Sequence, residues 1–344
     1  MFQVITEGSA KIKVSKETKI SKKLPVFYNP LMKFNRDISI LLLNTLNKKD
    51  VQLALPLAGT GIRGIRFAQE LKKGIIKTLF LNDKQDNFYE IIRDNFALNK
   101  LPDTTIILSN EDANLFMLKN NGFDYIDIDP FGSPNPFLDA AIVRLARGGI
   151  LAVTATDTSA LCGTYENACK RKYWAKPLQN ELKHEIGVRI LIRKIQLVAS
   201  QHEKALTPIF SYSKDHYFKV FFMCEKGKLK ANEVIKQHGF LGESGPMWQG
   251  LLWDKKLVAK MMKNSEGEMK DFLTLIHEEA TIGTVGFYDI HKLCEREKLE
   301  SPRFEALMNK IKEKGYLVSR THFLDVGLRS NIRKEELIIL IKTV

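Results

Sequence analysis

Val51-Gln-Leu-Ala-Leu-Pro-Leu-Ala-Gly-Thr-Gly-Ile-Arg-Gly64 begins as an apolar run and closes on three glycines. No other stretch constrains the architecture as much. Val51–Leu57 suits a strand buried on both faces. Gly59, Gly61 and Gly64 then let the backbone turn tightly and approach a ligand. The helix expected over Ile62–Lys73 presents free amide groups at its start. Glycine pairs alone are weak signals, but here they sit between a strand and a helix, which is the context the motif requires.

The same rhythm repeats on both sides of this stretch. A helix is expected over Met32–Leu46, with Ile38, Leu41, Leu42 and Thr45 on one face. Strands are expected at Lys77–Leu81, Thr104–Leu108, Phe123–Ile128 and Gly149–Thr156. Helices fall between them, from about Asn87 to Leu98, around Leu115–Asn120 and over Pro136–Ala146. Apolar strands alternating with helices indicate an α/β, Rossmann-like parallel sheet covered on both faces. The alternation then changes. A long helix over Glu185–Ser200 precedes two strands, Leu206–Ser213 and His216–Glu225, joined by the polar turn Lys214-Asp215.

The first domain is expected to span residues 1–225, with 1–50 as an N-terminal extension and helix and 51–225 as the Rossmann-like core. Lys226-Gly-Lys-Leu-Lys230 reads as a linker, and 226–344 as a C-terminal α+β domain. That domain opens on the glycine-rich segment Gly242–Gly250, which contains Trp248. A helix over Tyr288–Glu297, a break at Leu299-Glu-Ser-Pro302, a helix over Pro302–Lys314, Gly315 and a strand over Tyr316–Phe323 follow the order of a winged-helix-like unit.

Acidic residues mark the ends of three consecutive strands. Asp83 is placed to take the ribose hydroxyls of an adenosine-containing cofactor, or else to cap the next helix. Asp112 with Ala113 offers a carboxylate beside a backbone amide, a pair able to read the amino group and ring nitrogen of adenine. Asp129-Pro130-Phe131-Gly132 ends the apolar run Phe123–Ile128. A carboxylate there can accept a hydrogen bond from an aromatic amine. Pro130 fixes the turn, and Phe131 offers a face on which a base can stack. The plain alternative is a strand-to-loop transition, where Asp, Pro and Gly are common. The glycines fit NAD and S-adenosylmethionine equally. Three rim acids and a hairpin at the end of the sheet favour S-adenosylmethionine, whose enzymes finish their seven-stranded sheet in this way. Arg36 and Arg66 are candidates to hold the methionine carboxylate as bidentate partners, against the commoner fate of arginine as a surface charge.

Composition narrows the partners. The 53 lysines and arginines against 40 acids give a formal charge of +13, which points to a polyanion, most often nucleic acid. Four widely spaced cysteines with no C-x-x-C pair argue against a zinc ribbon or a disulfide scaffold, and no metal is expected. No apolar run approaches the roughly 20 residues needed to span a bilayer, and the first ten residues lack signal-peptide features. The expectation is a cytoplasmic protein with no membrane association and no stable protein partner.

The segments Phe27-Tyr-Asn-Pro30, Asn35-Arg36-Asp37, Ala58-Gly-Thr-Gly-Ile-Arg63 and Asp127-Ile-Asp-Pro-Phe-Gly-Ser133 closely resemble those of the archaeal tRNA (guanine-26 N2)-dimethyltransferases. Leu161-Cys-Gly-Thr-Tyr165, Arg171-Lys-Tyr173, His184-Glu185 with Arg189, and Gly245-Pro-Met-Trp248 extend the match in the right order. The resemblance implies a class I, Rossmann-like S-adenosylmethionine-dependent methyltransferase domain and a C-terminal tRNA-binding domain. It implies methyl transfer to the exocyclic N2 amine of guanine 26 in tRNA, giving N2-methyl- and N2,N2-dimethylguanosine. It also implies that Arg36, Arg66, Asp83, Asp112 and Ala113 bind the cofactor beside the Gly59 and Gly61 turn. Asp129 is implied to be catalytic, aided by the Pro130 carbonyl, with Phe27 and Phe131 sandwiching the guanine. Arg171 and Lys172, within the basic aromatic run Lys170–Trp174, are candidates for gripping tRNA phosphates. His184, Glu185, Cys162 and Cys169 read as structural. Some relatives carry metal-binding cysteine pairs in the second domain that this chain lacks, so no zinc is expected. Rival readings are a nicotinamide-dependent oxidoreductase, a non-catalytic nucleic-acid-binding protein, and a methyltransferase acting on another base.

Overall fold

The computed structural model describes residues 2–15 and 28–344. It opens with an antiparallel hairpin of β1 (Phe2–Glu7) and β2 (Ala10–Ser15), followed by α1 (Lys33–Leu46). Strands and helices then alternate as β3 (Val51–Leu55), α2 (Ile62–Glu70), β4 (Ile76–Asn82), α3 (Phe88–Ala97), β5 (Thr105–Ser109), α4 (Ala113–Lys119), β6 (Phe123–Ile128), α5 (Leu138–Arg144) and β7 (Leu145–Ala155). After α6 (Thr158–Leu161), α7 (Glu166–Tyr173) and α8 (Lys183–Gln201) come β8 (Lys204–Lys214) and β9 (Tyr217–Lys226).

These strands form one seven-stranded sheet in the order β5-β4-β3-β6-β7-β9-β8. The pairs β4–β5, β3–β4, β3–β6 and β6–β7 are parallel. Only Asp215 and His216 connect β8 to β9, so covalent geometry makes that pair antiparallel. The strand order reverses between β3 and β6. Loops leaving the carboxyl ends of those two strands diverge, opening the crevice in which such sheets bind ligands. The apolar residues of β6 explain its central place: Phe123, Tyr125, Ile126 and Ile128 are fully buried.

Two expected boundaries move for physical reasons. Gly148 takes φ 73° inside β7, and the β6–β7 register shifts between Phe123 and Tyr125. The strand expected from Gly149 therefore begins earlier, at Leu145, and Gly148 lies in a register irregularity inside it. The supposed linker after residue 226 is instead a helix, α9 (Lys228–Ile235), which buries Ala231 and Val234 at a spacing of three. Its lysines disguised that stripe.

The chain packs as two compact units that do not follow a single cut at residue 225. One comprises Met1–Asp157, Ile195–Thr207 and Lys219–Ile235; the other comprises Thr158–Lys194, Pro208–Phe218 and Lys236–Val344. The second unit holds a hairpin of β10 (His238–Leu241) and β11 (Ser244–Trp248), built from the glycine-rich segment, and the helices α10 (Lys255–Lys263) and α11 (Gly267–Glu279). Beyond them lie β12 (Tyr288–Asp289), α12 (Ile290–Glu297), α13 (Phe304–Glu313), β13 (Val318–Thr321), β14 (Leu324–Ser330) and α14 (Lys334–Ile341). The sheet order is β12-β14-β13, and Ile290, Leu293, Leu307, Ile311, Leu328 and Leu337 share one core. Asp289 caps α12 by accepting from Lys292 N–H.

This unit also buries charge. Glu185 accepts from Arg189 Nε at 2.9 Å, from Gly286 N–H at 2.9 Å and from Arg329 Nη2 at 2.7 Å. Burial pushes its carboxyl up, but Arg329 and Arg189 more than offset this and hold it at about 2. Glu185 is thus a structural anchor, as the sequence suggested.

Candidate active site

The carboxyl ends of β3 to β6 carry the glycine turn and the three rim acids singled out in the sequence. Gly59 and Gly61 adopt φ 53° and 76°. A Cβ at Gly61 would lie 2.4 Å from Ile92 Cδ1, whereas one at Gly59 would meet nothing within 4 Å. The left-handed φ of Gly61 is what favours glycine there, with a Cβ also displacing the Ile92 side-chain tip, and Gly59 leaves open space along the turn. Asp83, after β4, accepts from Gly59 N–H at 2.8 Å and Gln85 N–H at 3.1 Å. It tethers the glycine turn and keeps lone pairs for further donors. Asn82, fully buried behind it, bonds the Pro56 and Glu111 carbonyls, both at 3.0 Å, and so ties three strand ends together. Asp112 is the helix cap here, accepting from Asn114 and Leu115 N–H, while Ala113 beside it is buried.

Asp129 leaves the end of β6 partly exposed and pairs with Arg63, whose other guanidinium nitrogen lies 3.3 Å from Asp127. Arg63 also donates to Ser39 Oγ and Asn35 Oδ1, both at 3.0 Å. Asp127, beneath, accepts from Tyr125 Oη at 2.7 Å and Lys219 Nζ at 2.8 Å. Lys219 donates onward to Thr154 Oγ1 at 3.1 Å. Burial pushes the Asp127 carboxyl up and the Lys219 ammonium down. Arg63 and Lys219 nevertheless hold Asp127 below its usual range. Two carboxylates and two cations thus balance in a water-poor site, which fixes the direction in which Asp129 points.

The loop after Asp129 is pinned as well. Gly132 N–H donates to Thr156 Oγ1 at 2.7 Å, and Thr156 N–H returns a bond to the Gly132 carbonyl at 3.0 Å. Gly132 sits at φ 87° with open space where a Cβ would go. Pro130 is buried, and Phe131 keeps 46% of its surface exposed. A rigid turn therefore presents a carboxylate and an aromatic ring to solvent. Phe27 lies outside the described residues.

Arg36 and Arg66 come together, but around a residue the sequence reading did not single out. Glu7, from the N-terminal hairpin, accepts from Arg36 Nε at 2.6 Å, Arg66 Nη1 at 2.9 Å and Tyr28 Oη at 2.7 Å. Arg66 also pairs with Asp37 at 2.7 Å and Glu70 at 2.8 Å. Both arginines are buried, so neither is a surface charge. Burial raises the Glu7 carboxyl, but Arg36, Tyr28 and Arg66 outweigh it and hold it at about 2. Against an ordinary value of 4.5, the folded state binds fewer protons than the unfolded chain. The stabilisation is complete above pH 4.5 and is lost as pH falls toward 2. Urea midpoints should drop between about pH 5 and pH 3, and Glu7→Gln should flatten that slope; an unchanged slope would remove Glu7 from the account.

Arg171 and Lys172 are exposed on α7, in the second unit. Cys162 and Cys169 are buried, and burial lifts the Cys162 thiol to about 11, consistent with packing rather than nucleophilic roles. Among the described residues, no cluster of three or more His, Cys, Asp or Glu could hold a metal ion, and no helix is long and apolar enough to cross a membrane.

A family model described as N2,N2-dimethylguanosine tRNA methyltransferase matches residues 8–244 and 241–342. The chain belongs to this family. Among the family's relatives, a tRNA (guanine(26)-N(2)/guanine(27)-N(2))-dimethyltransferase from Aquifex aeolicus is 39% identical, covering 97% of this chain and 94% of the relative. A tRNA (guanine(26)-N(2))-dimethyltransferase from Methanosphaera stadtmanae is 37% identical, covering 97% and 95%. The solved structure of Trm1 from Pyrococcus horikoshii with S-adenosyl-L-methionine superposes with a TM-score of 0.90 at 36% identity, covering 98% of this chain and 99% of that one. The methyltransferase fold and the S-adenosylmethionine dependence expected from the sequence hold for this member of the family.

Proposed function

We propose that this chain methylates the exocyclic N2 amine of guanine 26 in tRNA, with Asp129 as the group that receives the amine's hydrogens. The single observation that carries the residue assignment is the fixed carboxylate beside an exposed ring at the end of β6, in the crevice where the sheet order reverses. S-adenosylmethionine supplies an electrophilic methyl group on a sulfonium centre. Gly59 and Gly61 shape its binding turn, Asp83 takes the ribose hydroxyls, and Asp112 with the Ala113 amide reads the adenine. The open space at Gly59 is consistent with such a ligand. Arg36 and Arg66 hold the methionine carboxylate, which requires Glu7 to yield part of its present grip on them.

The guanine amine is a poor nucleophile because its lone pair is delocalised into the ring. Asp129, assisted by the Pro130 carbonyl, accepts the amine hydrogens, turns the lone pair out of conjugation and receives a proton. Phe131 stacks on the base, with Phe27 as the proposed opposite face, and most of the acceleration comes from alignment. The space above Gly132 accommodates the first methyl group when the second is added. A stacked guanine must be turned out of the tRNA helix to enter. Arg171, Lys172 and the winged-helix-like unit over 288–323 bind the tRNA in this reading, and the enzyme works in the cytoplasm.

The test is to incubate the protein with unmodified tRNA and methyl-labelled S-adenosylmethionine and to analyse the nucleosides. N2-methyl- and N2,N2-dimethylguanosine should appear, and a transcript with adenine at position 26 should lose the label. Label persisting in that transcript at guanine 27 would match the name of the Aquifex relative and overturn a single-site assignment. Label in any other nucleoside would overturn the substrate.

A further inference from the structure

Trp174 follows α7 in a left-handed conformation, φ 55° and ψ 42°. A large aromatic residue meets a steric penalty there that glycine would avoid. Its N–H donates to the Lys170 carbonyl at 3.1 Å, and its own carbonyl accepts from Arg193 Nη1 at 3.3 Å. The backbone is therefore held in the strained well from both sides. Such strain persists where the surroundings enforce it, and it concentrates at functional positions.

The geometry of the side chain shows what the strain achieves. Tyr173, the preceding residue, is fully buried, whereas Trp174 keeps 52% of its surface exposed. Lys194, from α8 and almost wholly buried, brings its ammonium to 3.0 Å from the centre of the indole ring. Burial, then the neighbouring Arg193, lower this lysine to about 8, so it is still mostly charged at neutral pH. A cation on one face of the ring fixes the plane of the indole. Lys170, Arg171 and Lys172 are exposed on the same short helix. A flat, clamped aromatic surface amid exposed cations has the chemistry of a nucleic-acid stacking platform: the ring takes a base and the cations take phosphates.

We infer that Trp174 is a second RNA contact, on which an unpaired or turned-out base of the substrate tRNA stacks, separate from the Phe131 turn. This rests on the proposal that tRNA is the substrate, and it adds to that proposal a site selective for unstacked bases.

Trp174→Ala should weaken tRNA binding roughly 5- to 150-fold, the loss of one base–aromatic stack, and raise the KM for tRNA with little change in S-adenosylmethionine affinity. Trp174→Phe keeps a ring and should retain most of the affinity. The chain's other two tryptophans, Trp248 and Trp253, are buried, so tRNA should quench the wild-type fluorescence and this quenching should be absent in Trp174→Phe. Unchanged tRNA affinity in Trp174→Ala, or equal quenching in wild type and Trp174→Phe, would overturn the stacking site. Should the alanine variant misfold, the quenching comparison decides alone. A wild-type protein that methylates tRNA while these variants behave normally sinks only this inference; one that methylates no tRNA sinks the substrate assignment itself.

Discussion

Asp129→Asn is expected to lower single-turnover methyl transfer about 10²- to 10⁴-fold while leaving S-adenosylmethionine affinity within a few-fold of wild type. Asparagine has nearly the same shape and can still accept from Arg63 through its amide oxygen, so the turn should survive. What it loses is the capacity to receive a proton and the charge that draws the amine's hydrogens out of the ring plane. Its amide NH₂ would also face the substrate amine, donor against donor. A rate loss with intact cofactor binding, measured by rapid quench and by calorimetry, separates chemistry from folding. Transfer within a few-fold of wild type would take Asp129 out of its role.

Lys219→Met should be the most destabilising single change near the site, costing about 3–5 kcal/mol of unfolding free energy. Lys219 is fully buried and bonds Asp127 at 2.8 Å and Thr154 at 3.1 Å. Its removal leaves a buried carboxylate with one cation fewer. Replacing Asp127 by Asn in the same chain should recover part of the loss, because the uncompensated charge disappears with its partner. Denaturant titration of the two single variants and the double variant gives this cycle directly. Additive losses would show that the pair does not interact as described. Methyl transfer should also fall in Lys219→Met, since Arg63 would then be drawn toward Asp127 and away from Asp129.

Much of this was legible in the sequence because strands and helices here carry their periodicity locally. β6 falls over Phe123–Ile128 as expected, and the turn glycines and rim acids follow from strand ends. What was missed depends on residues distant in sequence. Glu7 sits in a basic, β-leaning segment, and only the fold brings it to Arg36 and Arg66, 29 and 59 residues away. Arg63 was visible in a matched motif, but its partnership with Asp129 spans 66 residues. Lys219 did leave a signal: a lone charge within the apolar run Tyr217-Phe-Lys-Val-Phe-Phe222 requires a buried partner, and Asp127 within Phe123–Ile128 is its mirror image. The helix after residue 226 was hidden because Lys228 and Lys230 interrupt a segment that buries only two apolar residues, Ala231 and Val234. The α7 platform was visible only as a basic aromatic run; that the indole is exposed while Tyr173 is buried is a property of the helix end.

The most direct measurement is a crystal structure with S-adenosylhomocysteine and a guanosine-containing tRNA fragment. Guanine N2 should lie within hydrogen-bond reach, about 2.6–3.2 Å, of an Asp129 oxygen, with the ring stacked on Phe131 and the cofactor's sulfur facing the same amine. A guanine seated elsewhere, with Asp129 still turned to Arg63 and remote from the sulfur, would contradict the role given to Asp129.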